Sequence, residues 1–197
     1  MNDKIIRKIV KILYDEGGFI AAQFNDPEMV VMYDVLKHNE EWFKNLFSYH
    51  SCGLRYDHEC YYLSRQMPKS QFETRLKNHQ LWVDVVDFMV SIVGKDAVGK
   101  TYKFTELLNL VEGGSNLPQK LKSLIQKNAD IKTDLKETNE NLNTLVSFLM
   151  KKQVLDKIDK KDEENEYVVT AVYNYYTQFV HNIILHNVDN NPDNLQG

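Results

Sequence analysis

Only two cysteines, Cys52 and Cys60, occur in the 197 residues, which excludes a disulfide framework and fits a reducing compartment. Proline is present four times and glycine eight, too seldom for a collagen-like or low-complexity chain. No apolar run reaches the eighteen or so residues that a membrane-spanning helix needs. A basic excess is also missing. The chain holds 24 Lys and Arg against 28 Asp and Glu, for a net charge of -4, and neither half is basic, so phosphate neutralisation is a poor candidate for its main source of affinity. Asp3, Arg7, Lys8 and Lys11 interrupt the apolar residues of the N-terminus at helical spacing. That is not the pattern of a signal peptide, and a cytosolic protein is expected.

What the chain does have is apolar residues, 43% of the total with 11% aromatic, enough to build one large domain or two small ones. Residues 4–15 read as an amphipathic helix capped by Asn2 or Asp3 and stopped by Gly17 and Gly18. Phe19, Ile20 and Ala21 suit a short strand, and Asn25-Asp26-Pro27 opens a helix running to about residue 37. A third helix, 40–49, carries Trp42, Phe43, Leu46 and Phe47. The runs 54–56 and 60–63 then have hairpin spacing around Asp57-His58-Glu59.

After a break at Met67-Pro68-Lys69-Ser70, residues 71–93 form a long helical pattern. A short strand at 102–104 follows, then helices over 106–111, from Pro118 onward and over 139–151, with 127–137 polar. The runs 154–158 and 167–170 flank a charged loop as a second hairpin. A last helix, 171–186, has a broad apolar face, and the Asn- and Asp-rich tail 188–197 is expected to be disordered.

Helix, strand, helices and terminal hairpin thus appear twice. The expected fold is mainly α (α+β): tandem winged-helix domains, each with a small β-hairpin wing, over 1–66 and 67–187, the second including the C-terminal helix.

Several motifs compete for a chemical role. Gly94-Lys95-Asp96-Ala97-Val98-Gly99-Lys100-Thr101 has the letters of a phosphate-binding P-loop, but that motif requires a strand before the loop and a helix after it. Here a long helix precedes and a strand-like alternation follows, so a surface loop is the expected reading. His50, Cys52, His58 and Cys60 offer zinc ligands, yet their spacing is not that of a common finger, and both cysteines equally suit small buried positions where the wing meets its helices. His38, His79, His181 and His186 stand in no catalytic pattern. No catalytic residue, metal site or cofactor is therefore assigned. Lys151, Lys152, Lys157, Lys160 and Lys161 surround the second wing as candidate phosphate contacts, interleaved with six acidic residues that make a solvated charged loop the alternative. Glu40-Glu41 make the third helix a poor reader of DNA. Trp42, Phe43, Phe47, Tyr175, Tyr176 and Phe179 are candidate protein-interface residues, although aromatics at helical spacing also read as core.

The segments EGGFI (16–20), LKHNEEWFKNLF (36–47), LRYDHECYYLS (54–64), FETRLKNHQLWVDVVDF (72–88) and YKFTELLNL (102–110), with 167–179, resemble in order and spacing the MksE proteins of the MukE and MksE group, kleisin-interacting winged-helix subunits of bacterial condensins. The resemblance implies a noncatalytic dimer that binds an MksF-like kleisin and, through it, an MksB-like SMC ATPase. It also implies a cytoplasmic, nucleoid-associated role in chromosome organisation or plasmid defence, with weak or indirect DNA contact and no membrane. A winged-helix transcription regulator is the rival reading.

Overall fold

The computed structural model describes residues 2–22, 26–65, 72–128, 131, 137–158 and 165–189, and the side chains of all of these except 65, 72–78 and 183–189. The break at 67–70, the loop 159–164 and the tail from 190 lie outside the described residues.

In the first half, α1 (Asp3–Val10) begins where the Asn2 side chain accepts the Lys4 N–H at 3.0 Å. The expected helix to residue 15 does not stay α-helical: Lys11–Asp15 widens into a π-helical turn before Gly17, at φ +63°, redirects the chain. A short strand β1 (Ile20–Ala21) follows. Asp26 then caps α2 (Pro27–His38) by accepting the Glu28 N–H at 2.8 Å, with Pro27 preset for the first turn. Helix α3 (Glu40–Ser48) leads into β2 (Cys52–Asp57) and β3 (Cys60–Arg65). Both wing strands are longer than expected. Asp57 pairs with Cys60, so the connection is a two-residue turn in which His58 and Glu59 both take positive φ, at 48° and 60°. This is the primed turn geometry that matches strand twist, adopted here without glycine.

The second half opens with the 22-residue α4 (Phe72–Val93), ended by Gly94 at φ +85°. Strand β4 (Thr101–Lys103) and helix α5 (Phe104–Gly113) follow, the helix entered by a Glu106 carboxylate that accepts the Lys103 N–H at 2.8 Å. Then come α6 (Leu117–Lys127), α7 (Thr138–Lys151), β5 (Leu155–Ile158), β6 (Glu166–Val169) and α8 (Val172–Asp189). Thr170, fully buried, marks the start of α8 by accepting the Val172 N–H at 3.2 Å on its hydroxyl.

The architecture is mainly helical with two small antiparallel sheets, an α+β arrangement. Their strand orders are β1-β3-β2 and β4-β6-β5, so in each the last strand lies in the middle and the first completes the edge. Among the described residues the second half carries one helix more between its first strand and its hairpin.

Strand alternation decides how the halves meet. Ile20 and Tyr61 point into the first core, with Ile9, Leu13, Leu36, Phe43 and Phe47. Their neighbours Phe19, Ala21 and Cys60 point the other way, into the larger core built by α4, α6, α7, α8 and the second sheet. Strand β1 and the adjoining start of β3 are therefore covered on both faces, one by the first half's own helices and one by the second half, while Arg55, Tyr56 and Asp57 of β2 stay exposed.

Candidate protein-interaction surface

The Gly17-Gly18 turn delivers Phe19 to an aromatic seam between the two halves. Its ring lies 4.9 Å from Tyr175, 5.8 Å from Tyr176 and 5.9 Å from Tyr62. Tyr176 stacks on Trp82 of α4 at a centroid distance of 3.3 Å and 13° between planes, while Phe179 meets the edge of His79 at 5.0 Å. Aromatic pairs of this kind add to the stabilisation from the area they bury. The described part of the broad apolar face of α8 expected from the sequence, up to Val180, is thus placed against the chain itself. Tyr175, Tyr176 and Phe179 are left half-buried, as members of that seam. Burial pushes the Tyr176 hydroxyl well above the usual tyrosine range, so it stays protonated.

Of the three aromatics singled out on α3, Phe43 and Phe47 are core, at 0% and 1% exposure, and Trp42 is on the surface at 45%. Sequence reasoning overlooked other exposed apolar side chains: Val30, Val31, Tyr49, Tyr56 and Leu110 are all exposed. The signal was available for two of them, because α2 has Val30, Val31 and Met32 in succession and a helix can turn only part of such a run inward. Tyr56 takes part in a polar network. Tyr33 and Tyr56 share a hydroxyl contact at 2.9 Å, Tyr61 donates to Glu40 at 3.2 Å, and Lys44 pairs with both Glu40 and Glu41 at 2.8 Å. The hydrogen bond from Lys44 is the main cause that holds the Glu40 carboxyl below its ordinary pKa. Glu40 and Glu41 occupy the first turn of α3, where a groove-reading helix would need positive or neutral polar groups.

Lys151, Lys152 and Lys157 are exposed around the second hairpin, with Lys152 reaching over the Phe148 ring at 5.9 Å. Lys160 and Lys161 lie outside the described residues.

The P-loop-like stretch sits between the end of α4 and β4, the reverse of the strand, loop and helix order that aims backbone N–H groups at phosphate. Its polar backbone is also committed elsewhere. Gly99 N–H donates to Val169 at 2.8 Å, Lys100 N–H to Ala97 at 2.9 Å, and the Gly94 carbonyl accepts the Tyr173 hydroxyl at 2.9 Å. Ala97, fully buried, anchors the loop.

Cys52 and Cys60 are both free and buried, one at each end of the first hairpin, where they pair across from Arg65 and Asp57. Each thiol points to a local carbonyl, of His50 and His58 respectively. Five residue steps along the strands separate the two ends, about 16 Å, so His50 and Cys52 do not converge with His58 and Cys60. Among the described residues no three His, Cys, Asp or Glu side chains are grouped to hold a metal. Nor is any described helix long and apolar enough to cross a membrane.

A second apolar feature is a groove of about 610 Å³ between α4 and α8, floored by Val86 and Val180 and walled by Val83 and Val90. It was not foreseen, since its residues read as ordinary core positions of two helices.

Paired small sheets, exposed apolar side chains and an open apolar groove are the features of a subunit of a larger assembly. The chain belongs to the family of the condensin complex protein MksE, whose family model matches residues 4–181. No curated protein matches the chain.

Proposed function

We propose that the chain is a noncatalytic accessory subunit of an SMC-like condensin complex, built as two winged-helix modules over 1–66 and 67–187, that dimerises and binds the kleisin subunit. The observation that carries this reading is family membership over nearly the whole described length. The repeated sheet order, with helices between the first strand and a terminal hairpin, supports the winged-helix description. Through the kleisin the subunit works beside the ATPase heads, in chromosome organisation or plasmid defence. Sequence-independent contacts from Lys151, Lys152 and Lys157 are weak alone and gain from the duplex being held close by the complex. A regulator that reads an operator is disfavoured by the acidic start of α3.

Copurification of the full chain with an MksF-like kleisin tests the proposal. A stable complex at micromolar concentration is expected. Failure of the two purified proteins to associate overturns it, as would operator-specific DNA binding by the subunit alone.

A further inference from the structure

We infer that the groove between α4 and α8 is where an amphipathic helix of the kleisin partner docks, with an acidic residue of that helix placed against Lys95; the inference rests on the subunit reading above. Val83, Val86 and Val90 fall at i, i+3 and i+7, one stripe that rises about 10 Å along α4. That spacing accepts the apolar stripe of another helix, whose own side chains repeat at three and four residues. Valine is short. With Thr177 and Val180 opposite, the stripe leaves the approximately 610 Å³ of open apolar space, whereas larger residues on the other faces of the same helices, Trp82 and Tyr176, close against each other. Val83 and Val90 remain only half-buried, which leaves apolar surface in water until something covers it.

Charge selects the occupant. The acidic side chain on the lining, Asp87, is paired with Lys120 of α6 at 2.6 Å. Lys95 is exposed at the groove and makes no ion pair or hydrogen bond among the described residues. His181 is exposed on the same rim. The uncompensated charge is positive, so the complementary helix brings a carboxylate to that end.

The test uses the full chain with labelled valine methyl groups, titrated with the purified kleisin. Shifts of the Val83, Val86, Val90 and Val180 methyl signals are expected. Val90→Glu should weaken the complex at least tenfold, and Lys95→Glu should weaken it several-fold with loss of its salt dependence. Circular dichroism checks that each variant is folded; if Val90→Glu is not, the exposed Lys95→Glu variant and the methyl shifts decide. Wild-type binding with unmoved groove methyls and undiminished affinity of the variants overturns the groove assignment and leaves the subunit reading standing. No binding by the wild type overturns both. Groove shifts that depend on the concentration of the chain alone assign the groove to a second copy and overturn the proposal.

Discussion

The backbone N–H of Phe19 donates to Oε1 of Gln153 at 2.6 Å, across 134 residues of sequence. Gln153 itself holds a left-handed conformation, φ +60°, and its carbonyl accepts the Thr170 hydroxyl at 2.5 Å. One side chain in a turn of the second half thus satisfies a part-buried donor of the first, while its backbone is pinned at the start of α8. Gln153→Ala keeps the backbone demand and removes the acceptor, leaving a part-buried N–H unpaired. A loss of about 1–3 kcal/mol is expected, read from the urea midpoint. Gln153→Glu retains an acceptor and should cost less than the alanine variant.

The Trp82–Tyr176 stack makes a second prediction about the same junction. Tyr176→Ala removes a ring that packs face to face on Trp82 and edge-on to Phe19, and should cost about 3 kcal/mol with a changed tryptophan emission. Tyr176→Phe keeps the ring and should leave both stability and emission nearly unaltered.

Neighbouring aromatics on α3 should behave oppositely. Phe43→Ala empties a fully buried site and should cost about 3–5 kcal/mol in thermal or denaturant unfolding. Trp42→Ala, at 45% exposure, should cost under about 1 kcal/mol. If the exposed face of α3 contributes to self-association, the Trp42 variant will weaken it in sedimentation experiments without loss of fold.

Lys100→Ala should change neither stability nor ATP affinity. The neighbouring Gly99 and Lys100 N–H groups are already donated to Val169 and Ala97, and no helix follows Thr101 directly to aim further N–H groups at phosphate. Isothermal titration of wild type and variant with ATP checks this; tight binding that disappears in the variant would refute the loop assignment.

Desolvation by burial, followed by the nearby Glu59 and Asp57 carboxylates, pushes the Cys60 thiol up from 9.0 to about 12. The folded state holds this proton more tightly than the unfolded chain does. The contribution to stability is therefore complete below pH 9 and disappears as pH rises toward 12. Cys60→Ala should show a shallower alkaline loss over that window in denaturant midpoints, and the wild-type thiol should resist alkylation at pH 8 until the protein unfolds.

Much of the secondary structure was legible because local chemistry specifies it. Asp26-Pro27 marks the start of α2, the glycines at 17 and 94 mark ends, and the apolar period of α4 persists to its last turn. The misreadings are also local. The helix expected over 4–15 loses its α geometry at Lys11, and the expected strand at 102–104 begins one residue earlier, with Phe104 already helical. Competing hydrogen bonds settle such boundaries, as when Glu106 reaches back to the Lys103 N–H. The interaction surface was legible only in part. Phe43 and Trp42 are adjacent aromatics on one helix, and which of them faces water depends on where α1 and the first sheet lie.

From the order of residues alone follow the mixed charge, the two thiols, the repeated succession of helices and hairpins, and the family resemblance, since each is written in composition or in short-range periodicity. Tertiary structure alone decided that β1 and the start of β3 are covered on both faces, that the apolar side of α8 folds back on Phe19 and Trp82, and that the valines of α4 border an open groove. Those outcomes depend on which surfaces meet between segments far apart in the chain, and no local pattern carries the shape of the surface it will be packed against.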